Sequence, residues 1–498
     1  MNNGGWKLNG DDEALYVDVE EDTEEERRDK VYSNWDRLPD ILLEEIFSHL
    51  NIKQKYYASL VCKNWYRAFK LPYTWNTFTL QETTLTRGKY NYYSGWQYVL
   101  DHMRTSACLN KVGANFKCII FEPMMNFYNL YEFMNMFSWY AEKQGTDYTT
   151  VPGIGKLVRR LKFTFPCNMA NREDPDSIKL FGTGGKLLEG LKRLMKNLEN
   201  LRCLELVDLM LESREALHLM DEVCANCTQT LRKLVLINAT KFHCPLLHVG
   251  VFLNLNTLVI SPQSIDEDVI ELLGFTQLRH LHILQNRYSP KETYLPKNSA
   301  WKKMKKNNPY LMVHFEIENQ RVCENIFLFD ASLHSEIPCH SIVLDNSNSQ
   351  VLHATVIKHA LYFGKSLRVY AFKGLSRKYM PRKFSKRIDE AIVKLCKLSP
   401  NINTLMIRDK VSTATLLEIV SIAKQLRFLH VRRNLVMKKC DAEWLNIGDW
   451  TAEHYNWIKD HSNDYKKTEE AISKTLGYRW KMLSEREFSQ QKVYLHLD

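Results

Sequence analysis

No stretch of this chain approaches the roughly 18–20 uninterrupted apolar residues that a bilayer-spanning helix needs. The opening MNNGGWKLNGDDE also lacks the apolar core of a secretory signal. A chain that works inside the cell, in cytoplasm and/or nucleus and with no membrane contact, is the expectation. The 12 cysteines fall mostly singly in apolar segments, as at Cys108, Cys118, Cys203 and Cys396, which suits reduced core thiols and not a disulfide framework. Only Cys224-x-x-Cys227, followed by His243-Cys244, has a metal-like spacing, and it lacks a well-spaced second pair. No GxSxG, HExxH or paired-carboxylate pattern occurs. The GTGGK of Gly182–Lys186 ends on Leu187 where a phosphate loop needs Ser or Thr, and the 16 histidines do not gather at ligand spacing. Neither catalysis, nor a cofactor, nor a metal is therefore expected.

What is present is an ordinary globular composition over 498 residues, 45 % hydrophobic and 25 % charged, with room for a small module and a large domain. The net charge of +10 hides an asymmetry: residues 1–30 carry eleven acidic and four basic side chains, or −7, which leaves +17 for the remainder. Residues 1–33 read as a disordered acidic arm. Basic residues cluster at Lys302, Lys303, Lys305 and Lys306, and again at Arg377, Lys378, Arg382, Lys383, Lys386 and Arg387. Solvated faces account for most such runs. Without interleaved aromatics or a nucleic-acid motif, an acidic partner segment is as good a ligand for them as RNA, and nucleic acid is not the expected partner.

Residues Trp35–Phe78 are denser in information. Leu38-Pro39-Asp40 opens a helix, with proline where its missing N–H costs nothing and acids at the positive end. Leu42, Leu43, Ile46, Phe47 and Leu50 recur at helical spacing through Leu50, and Ala58, Val61, Cys62 and Trp65 repeat the pattern on a basic helix ending near Pro72. Some forty residues bury too little surface to fold robustly alone. The apolar side chains on display are each worth roughly 1.5–3 kcal/mol when buried, so either the rest of the chain or a separate partner must cover them.

In order and spacing this segment resembles an F-box. The resemblance implies binding to the adaptor Skp1, and through it to a cullin-RING ubiquitin ligase. The matching positions are Leu38, Pro39, Ile46, Phe47, Leu50, Val61, Cys62, Trp65 and Trp75, with Phe47 and Trp65 expected to be hot spots. Lys55, where an aliphatic residue is usual, and Thr74, where leucine is common, depart from the pattern in ways expected to touch adaptor affinity and not the fold.

Beyond Leu80 a short L-x-x-L-x-L unit recurs: Leu201–Leu206, Leu231–Leu236, Leu255–Ile260 and Leu278–Ile283, the last three starting 24 and 23 residues apart. That is the period of a leucine-rich repeat, one strand and one helical or irregular return per unit. Looser copies begin at Phe116, Val158, Tyr310, Ile342, Leu367, Ile402 and Leu426, and only the unit at Leu231 keeps the repeat's asparagine, Asn238. Helices are expected at Gly185–Leu198, Arg214–Cys224, Asp266–Leu273, Ser385–Leu398 and Thr413–Ala423.

The fold class is thus α/β: a small helical F-box over 34–80, a divergent leucine-rich-repeat-like solenoid over 81–440, and a helical, tryptophan-rich tail over 441–498 that caps the solenoid's open end. Polar and basic residues aligned from repeat to repeat, among them Arg232, Arg279, His282, Arg427 and His430, are the expected contacts to an unknown protein substrate on a concave face. The combination resembles an F-box protein with a repeat-type substrate receptor. The opening FKCIIFEPMMNFYNL narrows the resemblance to the F-box-only 33 and 39 type.

Overall fold

The computed structural model describes residues 34–92, 95–124, 126–144, 153–167, 182–290, 295–318, 333–345, 352–375, 381–447 and 450–493. The acidic arm expected over 1–33, and the basic residues Arg377 and Lys378, lie outside the described residues. Two compact units result, one ending at Leu71 and the other starting at Pro72.

The first unit holds three short helices, Asp40–Ser48, Ile52–Ser59 and Lys63–Phe69. The second starts on a capping box in which the Asn51 side chain accepts from the Gln54 N–H and the Gln54 side chain accepts from the Asn51 N–H. The sequence predicts one helix through Ala58, Val61, Cys62 and Trp65; the structure has two. Cys62 is extended, and its Sγ accepts from the Trp65 N–H at 3.5 Å, restarting the chain as a new helix. Val61 and Cys62 are therefore at a break.

The second unit is built on one parallel sheet. Its strands are β1 (Thr77–Leu80), β4 (Cys118–Phe121), β5 (Arg160–Thr164), β6 (Cys203–Val207), β7 (Lys233–Ile237) and β8 (Thr257–Ile260). They continue as β9 (His280–Gln285), β10 (Met312–Glu318), β11 (Cys339–Asp345), β12 (Val369–Lys373), β13 (Thr404–Ile407) and β15 (Phe428–Val431). A separate antiparallel hairpin joins β2 (Thr86–Asn91) to β3 (Gly95–Leu100), and a two-residue pair joins β14 (Val411–Ser412) to β16 (Val436–Met437). In the large sheet each strand pairs with the one before and the one after it. That order defines a solenoid: a stack of like units, each burying its apolar side against its neighbours.

Register explains the repeat. Ile119, Leu161, Leu204, Leu234, Leu258 and Leu281 lie opposite one another from strand to strand, as do Phe121, Phe163, Leu206, Leu236, Ile260 and Ile283. All are buried. The two apolar positions of each unit form continuous columns under the sheet, so the spacing within the unit is obligatory while the length of its return is not. Helices form the returns at Lys186–Lys196, Ser213–Cys227, Glu267–Leu273, Asp389–Leu398 and Thr413–Ile422, close to expectation. The boundary expected at residue 80 moves: Thr77–Leu80 is not the end of the small module but the first strand of the sheet.

Asn238 keeps its signature role. It is fully buried with φ +45°, donates to the Asp208 and Asn286 side chains at 2.8 and 2.7 Å, and accepts from Gln263 and Ser289. Asparagine tolerates a left-handed backbone better than most residues, and here its amide satisfies buried polar groups from three further repeats.

The tail works as a cap. Helices Ala452–Ser462 and Tyr465–Leu476 pack on the last repeat helix, with Thr413 Oγ1 donating to the Ser462 carbonyl at 2.7 Å. Trp480 Nε1 donates to the Leu429 carbonyl at 2.7 Å, and the Leu483 N–H to the Val431 carbonyl at 3.0 Å, so the tail serves the otherwise open edge of β15. Trp444 and Trp480 are buried in this cap. The chain then crosses to the other face of the sheet, where Phe488 packs on Val343, Val369, Ala371 and Met406.

Candidate functional site

Two surfaces stand out, one in each unit. In the first unit Leu43, Phe47, Ala58 and Ala68 make the interior, with Leu38, Leu50, Trp65, Phe69 and Leu71 packed around it. Phe47 and Trp65 meet edge to face at 5.9 Å. Trp65 Nε1 donates to the Trp35 carbonyl, Asn64 to the Leu38 carbonyl, and Arg67 pairs with Asp40 at 2.7 Å, closing the third helix onto the start of the first.

The helix Asp40–Ser48 carries more apolar residues than one face can bury. Leu43 and Phe47, one turn apart, take the interior, and Ile41 and Leu42 are left in solvent, Ile41 at 78 % exposure. Leu60 and Val61 at the break, with Tyr57 before them, are exposed as well, Val61 at 66 %. A module this small that leaves five large apolar groups in water has the composition of an interface.

The expected adaptor contacts divide accordingly. Pro39 and Val61 are exposed; Leu38, Ile46, Leu50, Cys62 and Trp65 are partly exposed; Phe47 and Trp75 are buried. Phe47, expected as a contact hot spot, is a core residue, because the i, i+4 partner of Leu43 points inward. Trp75 falls in the second unit, on the turn Pro72–Trp75. Ile41, Leu42 and Leu60, which the expected contacts did not include, belong to the exposed apolar set, and the run Ile41-Leu42-Leu43 already exceeds what one helical face can hide. Lys55 and Thr74 are also buried, so these departures bear on the interior, not on the exposed face.

Residues 35–77 match the F-box domain family. Residues 35–77 are an F-box domain. No curated protein sequence matches the chain. Among solved structures the chain is similar to one described as the TLR13–ssRNA13 complex, at 13 % identity and TM-score 0.31 over 68 % of this chain and 52 % of that one, about half its length. It is also similar to a leucine-rich-repeat protein of Leptospira interrogans, at 13 % identity and TM-score 0.25 over 64 % and 74 % of the two chains. A third is the Toll–Spatzle complex of Drosophila, at 11 % identity and TM-score 0.25 over 71 % and 47 %. At such scores the solenoid stands on its own strand order and register.

The second surface lies where the strands of the solenoid begin, behind the F-box in sequence. Lys117, Arg159, Arg202, Arg232, Asn256 and Arg279 each follow the first apolar position of a repeat; Lys117 donates its backbone N–H to the Asn76 carbonyl at 2.9 Å, and each of the others donates to the carbonyl of the one before at 2.8–3.0 Å. The exposed side chains are thus stacked along one edge of the sheet about 4.8 Å apart. Arg159, Arg202, Arg232 and Lys156 line an open cleft of about 690 Å³ with Asn200, Gln229, Asn254 and Asn256. Among the described residues none of Arg159, Arg202, Arg232 and Arg279 is paired with a carboxylate. Like charges at this spacing repel by somewhat under 1 kcal/mol per pair even in water, so the ledge favours an anionic ligand.

The expected substrate residues are distributed differently from the sequence reading. Arg232 and Arg279 stand on this edge and not on a concave strand face; Arg427 holds the same position near the far end, following Arg368 and Asn403. His282 is 1 % exposed and belongs to the interior of a histidine cluster. His430 is half-buried beside Phe428, and burial lowers its imidazole pKa below the ordinary value. Of the basic clusters, Lys303 and Lys305 are paired with Glu271 and Glu336. Arg387 is wholly buried between Asp389 and Asp441, so it offers nothing to a ligand. The thiols of Cys224 and Cys227 donate to the His248 and Leu198 carbonyls; the histidines that do gather are elsewhere.

Toward the C-terminal ends of β10 and β11 the face opposite the helices carries Glu316 and Glu318, with Asp345 opposite Glu318 and Lys373 of β12 opposite Asp345. Burial, reinforced by Glu318, pushes the Glu316 carboxyl up to about 7. Below pH 4.5 folded and unfolded chains both hold this proton; as pH rises to about 7 only the folded chain keeps it, and stability falls through that window. Glu316→Gln is expected to stabilise the solenoid by about 2 kcal/mol at pH 8 and by almost nothing near pH 4.5. Urea melts at the two pH values check this; an equal gain at both would show that the charge is not the cause.

Proposed function

We propose that this chain is the substrate-recognition subunit of a Skp1–cullin–F-box ubiquitin ligase, acting in cytoplasm and/or nucleus. The observation that carries the reading is the co-occurrence of an F-box domain whose large apolar side chains face solvent with a repeat domain in which Arg159, Arg202, Arg232 and Arg279 are paired with no carboxylate among the described residues, while Lys156 beside them is held by Glu199. Skp1 takes the exposed Ile41, Leu42, Leu60 and Val61 together with Pro39. An acidic segment of a protein substrate takes Arg159, Arg202, Arg232 and Arg279. The chain itself performs no bond chemistry. The ligase's RING subunit and its E2 do so, and the receptor supplies proximity, raising the effective concentration of substrate lysines.

The tail supports placing the substrate on the ledge. Phe488 and its neighbours occupy the open face of β11–β13, whereas the cleft over β5–β8 is free of them. A second reading, a scaffold that uses the same ledge for RNA without a ligase, draws on the same unpaired arginines. The F-box domain at residues 35–77, which the scaffold reading leaves without a role, favours the ligase.

The double reversal Arg202→Glu/Arg232→Glu tests the receptor end. Ubiquitylated clients recovered with the chain under proteasome block are expected to fall at least about tenfold, a loss of some 1.4 kcal/mol, while Skp1 recovery is unchanged. Clients retained in full would remove the ledge from substrate binding. RNA lost in their place, with a steep salt dependence, would favour the scaffold.

A further inference from the structure

We propose that His280, His282 and His314 form a binding site for one transition-metal ion of the zinc(II) class. Alternate residues on a strand share a face, so the H-x-H of β9 turns both imidazoles to the side of the sheet away from the helices. His314 of β10 lies in register opposite His282 and supplies the third. One ring nitrogen from each of the three comes within 4.8 Å of the others.

The distances suit one ion. Two imidazole nitrogens bound to a tetrahedral zinc at 2.0–2.1 Å stand about 3.4 Å apart, and His280 Nδ1 is 3.1 Å from His314 Nε2. On the other side of its ring, His314 Nδ1 is 2.6 Å from Ser341 Oγ. A hydrogen bond at one nitrogen fixes which of the two is offered to a metal, the usual task of an outer partner. The His282 ring lies parallel to that of His314, 4.2 Å away at 14°. To aim a lone pair at the same point it turns about χ2, a broad torsion for imidazole.

The donor set selects the ion. Three imidazoles without a carboxylate suit zinc, copper or nickel and not magnesium or calcium. His282 and His314 are buried and His280 is half-buried, so the approach is from the His280 side. Three protein ligands leave a fourth position for water or for a donor from a bound chain. This site is independent of the adaptor reading and stands or falls without it.

The test uses the full chain, stripped with a chelator, dialysed, and titrated with zinc chloride by calorimetry and with cobalt chloride by visible absorption. One equivalent is expected, with the cobalt bands of a four-coordinate nitrogen site and no sulfur-to-cobalt charge transfer. His280→Gln, at the half-buried position, is expected to lower affinity at least about tenfold with the far-ultraviolet circular dichroism unchanged. His282→Gln should do the same, and if that variant fails to fold, His280→Gln decides alone. Absence of saturable binding, equal affinity in His280→Gln, or a sulfur charge-transfer band marking a thiol site would each overturn the proposal.

Discussion

Replacing Ile41 and Val61 together by aspartate is expected to abolish Skp1 binding while leaving the chain as stable as before. Both side chains are in solvent in the free protein, so nothing internal is lost. In the complex each forgoes about 1.5–3 kcal/mol of apolar burial and places a carboxylate against an apolar surface. Affinity should drop by more than about 100-fold, read by calorimetry against purified Skp1 beside a thermal melt. Phe47→Ala is the informative contrast. It empties the centre of the F-box at a cost of about 3–5 kcal/mol, more than a three-helix module of this size can lose, and binding should disappear together with the module's structure. Wild-type affinity in the aspartate pair would move the adaptor surface elsewhere.

Arg387→Ala is expected to cost about 3–5 kcal/mol of solenoid stability, the penalty for breaking a fully buried ion pair from one side. Arg387 donates to Asp389 at 2.8 and 3.1 Å and to Asp441 at 2.5 Å, and Asp389 in turn accepts from the Ser412 N–H and from the Ser412 and Thr415 hydroxyls. Removing the guanidinium takes away the one buried cation shared by two buried carboxylates that tie three segments of the C-terminal repeats together, leaving Asp441 the half-exposed Lys439 at 2.6 Å and Asp389 its neutral donors. Lys383→Ala, in the same basic run but exposed, should stay within about 0.5 kcal/mol. Urea unfolding of both variants checks the pair, and equal effects would show that the buried network is not what holds this end.

These two cases show what the sequence could reveal. The solenoid was legible because each unit must place apolar residues in the columns through Leu204, Leu234, Leu258 and Leu281, a constraint that leaves its mark at fixed spacing. The strand Thr77–Leu80 was hidden inside the F-box span, and the helix Phe127–Gln144 was not anticipated; its apolar residues run almost unbroken, blurring the period. Charge was harder still. Arg387 looks like its exposed neighbours until Asp441, 54 residues on, is brought against it. The histidines looked scattered because His314 is 32 residues from His282 and only strand pairing joins them. On the F-box the apolar set was visible, but which members face inward depends on where the second helix breaks, and the Cys62 cap that breaks it is a local hydrogen bond with no periodic trace.

The most direct measurement is co-expression of the intact chain with Skp1 and the N-terminal part of a cullin, followed by size-exclusion chromatography. The ligase-receptor account predicts one peak holding all three in equal amounts, stable to moderate salt because the contact is apolar. A well-folded chain eluting apart from Skp1 would contradict it.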